Sequence, residues 1–143
     1  MTWKDLNREQ RDFIEPVAEA AMKDWESRRI CLPSLVIALA VEGTDWGRKT
    51  GSTGQRILFP RRRDGIKSYA AIRDEVCSHN NYLAFWRGER QKEPNWAKLI
   101  GQKYYILAAQ YLQEAGYPYD DSGTYEKEII DLIEEYLFMQ YDL

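Results

Sequence analysis

Apolar residues recur at three- and four-residue steps through most of this chain, the period of amphipathic helices. Leu6, Phe13, Ile14, Val17, Ala21 and Trp25 form one such stripe and predict a first helix from about Asp5 to Arg28, with Pro16 marking a kink or break inside it. Leu32-Pro33-Ser34 interrupts the pattern, and Ser34 is placed to cap a second helix. From Leu35 to Val41 that helix is apolar on every side, as expected of one buried at the centre of a domain, and Gly43 is placed to end it. Residues 47–67 lose the period and carry Gly47, Gly51, Gly54, Pro60 and Gly65, which predicts an irregular segment with a short hairpin around Ile57–Phe59. Helical spacing resumes with Tyr69, Ile72, Val76 and Leu83, then a short Trp96–Ile100 segment. It continues with Tyr104, Leu107, Ala108, Tyr111 and Leu112, closed by Gly116. A last helix from about Thr124 to Met139 carries Tyr125, Ile129, Ile130, Ile133 and Leu137 on one side. The pattern predicts one mainly α domain over residues 1–143, with no repeat or linker dividing it.

Composition narrows the functional classes. With 44% hydrophobic and 30% charged residues over 143 positions, the chain is globular and can bury a core. No apolar run approaches about 18 residues, so no membrane span is expected. The polar start, MTWKDLNREQRDF, has no hydrophobic region of a secretory signal. The expectation is a cytoplasmic protein, or one released by lysis or a dedicated secretion machine. Cys31 and Cys77 stand far apart and are expected as free thiols. His79 has no second ligand at metal spacing, so its expected role is a structural hydrogen bond, and neither metal nor cofactor is expected.

Charge is uneven. Arg48 to Lys67 holds seven basic residues and one acid, whereas Tyr117 to Leu143 holds eight acids and one lysine, within an overall charge of −3. An acidic total disfavours non-specific nucleic-acid binding, although the basic loop taken alone leaves it open. The same loop offers Arg48, Lys49, Arg56, Arg61, Arg62 and Arg63 as candidate contacts to a protein partner with an acidic surface. Its GRKTGSTGQR stretch lacks the Gly-Lys-Ser/Thr ending of a phosphate loop and reads as a flexible loop.

Several pieces, taken in order, resemble the glucosaminidase domain of family 73 glycoside hydrolases, bacterial endo-β-N-acetylglucosaminidases that cut peptidoglycan glycan strands. They are Phe13-Ile14 with Pro16 and Ala18, Leu32-Pro33-Ser34, Ala38 and Ala40, Trp46-Gly47, Leu58-Phe59, Tyr69, and His79 in DEVCSHNNYL. The best-matching piece is YLQEAGYPYDDSGTYEKEIIDLIEEYLFMQYD near the C-terminus. The resemblance covers about residues 11 to 142 and implies a lysozyme-like domain, here with a reduced or missing β-lobe. It also implies that Tyr117 and Tyr125 line a cleft, with Trp46 beneath it or at its wall.

The departures fall on the cleft. In the family the second helix ends in Glu-Ser-x-Trp-Gly and that Glu is the general acid; this chain has Gly43 at the position, with Glu42 one residue earlier and Asp45 just before Trp46. One residue on a helix is a turn of about 100°. Glycoside hydrolysis needs a protonated carboxyl aimed at the leaving oxygen, and a second carboxylate or an activated water. The end of a buried apolar helix favours a carboxyl's protonated form through desolvation and the helix dipole. Glu42 therefore has suitable surroundings at the wrong angle, with Asp45 as the substitute candidate. Asp64, Asp120 and Asp121 are candidates for the second group, and Trp86 and Trp96 could stack on a sugar or a protein.

Two functional classes follow. One is a peptidoglycan endo-β-N-acetylglucosaminidase with Glu42 as acid. The other is a repurposed scaffold, of a kind a phage or mobile element would encode, that keeps the fold, has lost or impaired catalysis, and binds a glycan or inhibits a protein through loop 48–67.

Overall fold

A computed structural model describes residues 6–62, 68–85, 94–117 and 123–143. Helix α1, Arg8–Arg28, starts at a reciprocal cap: the Gln10 amide donates to Asn7 Oδ1 at 2.8 Å, and the Asn7 amide to Gln10 Oε1 at 3.0 Å. It continues through Pro16 and buries Ile14, Val17, Ala21 and Trp25, so the proline interrupts one hydrogen bond without ending the helix. Arg29, at φ 52°, turns the chain out of it.

Helix α2, Pro33–Thr44, is the centre of the molecule and touches α1 together with the elements that follow it from residue 105 onward. Every residue from Pro33 to Val41 is buried. Fully burying each Leu, Ile or Val here contributes roughly 1.5–3 kcal/mol, which explains why a helix with no polar face is stable in this place. Two sequence expectations are corrected at its ends. Pro33 takes the first helical position, so Ser34 lies inside the helix instead of capping it. The Ser34 amide donates to Asp142 Oδ1 at 2.8 Å and its hydroxyl to Asp142 Oδ2 at 2.5 Å, so the C-terminal segment supplies the cap. At the other end the helix passes through Gly43 and stops at Asp45, whose φ is 49°.

Helix α3, Ile72–Phe85, lies against α1, and α4, Pro94–Leu99, lies against α5, Tyr105–Glu114. Helix α6, Tyr125–Glu135, packs on α2 and α5. A left-handed Leu137, at φ 57°, then breaks the predicted final helix, and a 3₁₀ turn, Phe138–Tyr141, folds Phe138 back into the core. A polar seam joins α1 to α3: Asp24 accepts from Arg28 Nε at 2.7 Å and from Asn80 Nδ2 at 2.7 Å, while Arg28 also reaches Asn81. Cys31 and Cys77 are free thiols.

The expected hairpin around Ile57–Phe59 does not form, and no strand occurs among the described residues. Residues 57–59 cross the end of α2 without regular structure, and Ile57, Leu58 and Phe59 are all buried. Side-chain and backbone bonds to α3 replace strand pairing.

Candidate functional site

Glu42 is the first polar side chain after the apolar run of α2, and only 14% of it is exposed. Its two oxygens face one guanidinium. Arg61 Nε donates to Oε2 at 2.8 Å and Nη2 donates to Oε1 at 2.5 Å, a two-pronged pairing. The Tyr125 hydroxyl, at the first turn of α6, donates to Oε2 at 3.2 Å. The Arg61 guanidinium also lies over the Tyr125 ring, 5.7 Å from its centre. The hydrogen bond to Glu42 is the main cause that raises the Arg61 pKa above its ordinary value, with burial acting against it. Burial pushes the Tyr125 and Tyr117 hydroxyls well above the usual phenol range, and Tyr125 is the donor to Glu42.

Gly43 is covered. A Cβ placed on it would stand 2.8 Å from Pro60 Cδ and 3.1 Å from Pro60 Cγ. Any larger residue there would have to displace the chain at Pro60. Absence of a side chain at position 43 is therefore coupled to the course of residues 58–60 across the helix end.

That crossing segment is fastened mainly to α3. Glu75, a buried carboxylate, accepts from Arg56 Nε at 3.1 Å, from the Leu58 amide at 2.9 Å and from the Tyr69 amide at 3.3 Å. Arg56 Nη2 reaches the carbonyls of Tyr69 and Ala70 at 2.8 and 3.2 Å. Phe59 stacks on His79 with ring centres 4.0 Å apart, and His79 Nε2 meets the Tyr117 hydroxyl at 3.1 Å. Arg62 Nη1 donates to Ser78 Oγ at 2.8 Å, and its guanidinium lies over the Tyr82 ring.

The structure separates the other sequence candidates. Asp45 ends α2 and its carboxylate meets Arg48 Nη1 at 3.4 Å, while Arg48 Nε also pairs with Glu9 at 3.3 Å. Trp46 is a core residue, edge-on to Tyr136 at 4.8 Å between ring centres. Tyr117 is 1% exposed and holds His79, which has the structural role expected of it. Lys49 lines a cavity of about 250 Å³ with Phe13, Thr44, Gly54 and Arg56, between α1 and the glycine loop. Arg63, Asp64, Trp86, Asp120 and Asp121 lie outside the described residues, as does the side chain of Trp96. Among the described residues no cluster of three or more His, Cys, Asp or Glu could hold a metal ion, and no helix is long and apolar enough to cross a membrane.

Sequence reasoning passed over Glu75 and Pro60. Glu75 carried a signal: it stands three residues after Ile72 and four before His79, on the inward face of α3, where a carboxylate requires donors. Pro60 carried none, because its contact with Gly43 spans 17 residues of irregular chain.

No family model matches the chain, and neither does any curated protein. Solved structures do. The catalytic domain of the autolysin Auto from Listeria monocytogenes superposes with a TM-score of 0.71 at 21% identity, over 96% of this chain and 89% of that one. An N-acetylmuramoyl-L-alanine amidase from Staphylococcus aureus gives 0.74 at 16% identity, over 96% of this chain but 45% of that one. A peptidoglycan hydrolase mutant from Sphingomonas sp. A1 gives 0.69 at 18% identity, over 92% and 97%. The fold is a mainly α, lysozyme-like domain. At these identities the likeness concerns the backbone, and the fate of the chemistry rests on the residues around Glu42.

Proposed function

We propose that this peptidoglycan-hydrolase-like domain no longer performs glycosidase chemistry and instead engages the glycan strand of peptidoglycan without cutting it. One observation carries the reading. Glu42, the carboxylate nearest the family's acid position at the end of α2, spends both oxygens as acceptors from Arg61, the neighbouring position lies under Pro60, and the substitute candidate Asp45 meets Arg48. A general acid must aim a carboxyl oxygen at the leaving oxygen; a carboxyl group with both oxygens turned to one guanidinium is aimed elsewhere. Descent from a family 73 glucosaminidase fits the ordered matches from Phe13-Ile14 to the C-terminal Tyr-Asp.

A second reading keeps the enzyme. It is favoured by Tyr125, whose hydroxyl bonds the same Glu42 oxygen that Arg61 Nε holds, so that freeing Arg61 would leave a carboxyl beside a tyrosine. The binding role of loop 48–67 toward an acidic protein draws less support, because Arg48, Arg56, Arg61 and Arg62 all make contacts within the chain.

Release of reducing ends from purified peptidoglycan, with co-sedimentation of the protein on the same sacculi, decides between the two. The expected outcome is co-sedimentation with no reducing ends above a boiled control. Reducing ends released by the wild type and abolished by Glu42→Gln would establish the enzyme instead.

A further inference from the structure

Arg61 sits on Glu42 and Tyr125 as a bound ligand sits in a receptor. The two oxygens of a nearly buried carboxylate accept from two nitrogens of one guanidinium, and an aromatic ring lies beneath the cation. These are the two elements that recognise a guanidinium with geometric specificity. The neighbouring pair of the same segment has another character. Glu75 is held by backbone amides as well as by Arg56, and its side chain is 3% exposed, so Arg56 is part of the fold. Among the described residues Glu42 is bonded by side chains alone, and 44% of the Arg61 side chain faces solvent.

We propose that Glu42 and Tyr125 form a guanidinium-binding site at the end of α2, filled in cis by Arg61 and able to take the guanidinium of another molecule in exchange. The ligand class is an arginine side chain or a simple alkylguanidinium. Ammonium groups bind less well, because a tetrahedral donor cannot meet both oxygens in one plane. Arg61 is then a resident ligand: it keeps a nearly buried carboxylate paired while no other guanidinium is bound. The site is assigned independently of any glycan bound by the domain.

The test is chemical rescue. Arg61→Ala removes the ligand and leaves Glu42 with Tyr125 as its remaining donor, and the unfolding midpoint falls by several degrees. Methylguanidinium chloride at millimolar, non-denaturing concentrations then restores part of that loss, whereas equal methylammonium chloride or sodium chloride restores little. The double variant Arg61→Ala/Glu42→Gln shows no rescue, and the wild type, whose site is filled, responds much less than Arg61→Ala. Should Arg61→Ala fail to fold, Arg61→Gln carries the same titration, since it keeps a donor toward Glu42. Equal responses of the single and double variants, or no preference for methylguanidinium over methylammonium, overturn the proposal. Neither result depends on peptidoglycan, so failure here and failure of the glycan-binding reading remain separate.

Discussion

Glu75 and Glu42 each pair with an arginine of the segment between Arg56 and Arg62, yet the two ends of that segment are built differently. At the α3 end a carboxylate collects one guanidinium bond and two backbone amides, and the chain on either side of it, Leu58 and Tyr69, is fixed by the same group. At the α2 end a carboxylate collects a guanidinium and a phenol, both from side chains. The first arrangement substitutes for the strand pairing that the segment lacks. The second pairs a carboxylate at the helix end through side chains alone, with no backbone amide among its donors. Burial of a charge is tolerated only where its donors are present, so the origin of the donors tells whether the group serves the fold or the site.

The largest effect is expected at the α3 end. Glu75→Leu leaves two amides and the Arg56 guanidinium without their acceptor and costs about 3–5 kcal/mol, read by urea denaturation with circular dichroism. A loss under 1 kcal/mol would erase the distinction between the two ends. Next comes the contact that couples segment to helix. Gly43→Ala places a methyl 2.8 Å from Pro60 Cδ and is expected to cost about 1–3 kcal/mol through overpacking, despite the gain of alanine over glycine in a helix. Adding Pro60→Gly should recover part of the loss at position 43, which a double-mutant cycle detects as coupling. Independent, additive effects would mean that the helix end and segment 58–60 are not coupled.

Alkaline pH should destabilise the fold through its buried tyrosines, one of which bonds Glu42 at the α2 end and another His79 on α3. The hydroxyls of Tyr125 and Tyr117 are held above the ordinary phenol range mainly by burial, and that of Tyr141 is pushed up to about 12. A raised acid pKa means that the unfolded chain releases the proton first, so stability falls as pH rises above about 10. Absorbance at 295 nm should lag that of free tyrosine and rise together with the loss of helical signal. Early, non-cooperative ionisation of every tyrosine would contradict the burial.

The smallest effect is that of Arg61→Ala. Its guanidinium is partly solvated, so the expected cost is about 1 kcal/mol. That cost should shrink as salt is raised from low to molar concentration, and Glu75→Leu should show no such trend. Thermal melts at two salt concentrations suffice.

How much of this could be read from the chain depends on distance along it. The seamless apolar run from Leu35 to Val41 declared a central buried helix, and the stripe ending at Trp25 declared α1, because helix period is a local property of sequence. Boundaries failed where a partner distant in sequence set them. Ser34 is bonded by Asp142 and is no cap, and Leu137 breaks the last helix so that Phe138 can enter the core. For the site, Glu42 was legible as a carboxylate at the end of an apolar helix, and Tyr125 as a cleft-lining residue by resemblance, while their bond to each other was not. Lying one residue before the family position did not keep Glu42 away from Tyr125.

By itself, then, the sequence determined a mainly α domain around one apolar helix, a glycine-rich break after it, and an acid at the end of that helix, one residue before the position that the resemblance to glucosaminidases implies. Only the tertiary structure decided what became of that acid. The pairing of Glu42 with Arg61, the cover of Pro60 on Gly43 and the pin of Glu75 join residues 17 to 19 apart through a segment without regular structure. Helices repeat a local hydrogen bond and so leave a period in the sequence; coil held by side chains from other elements repeats nothing.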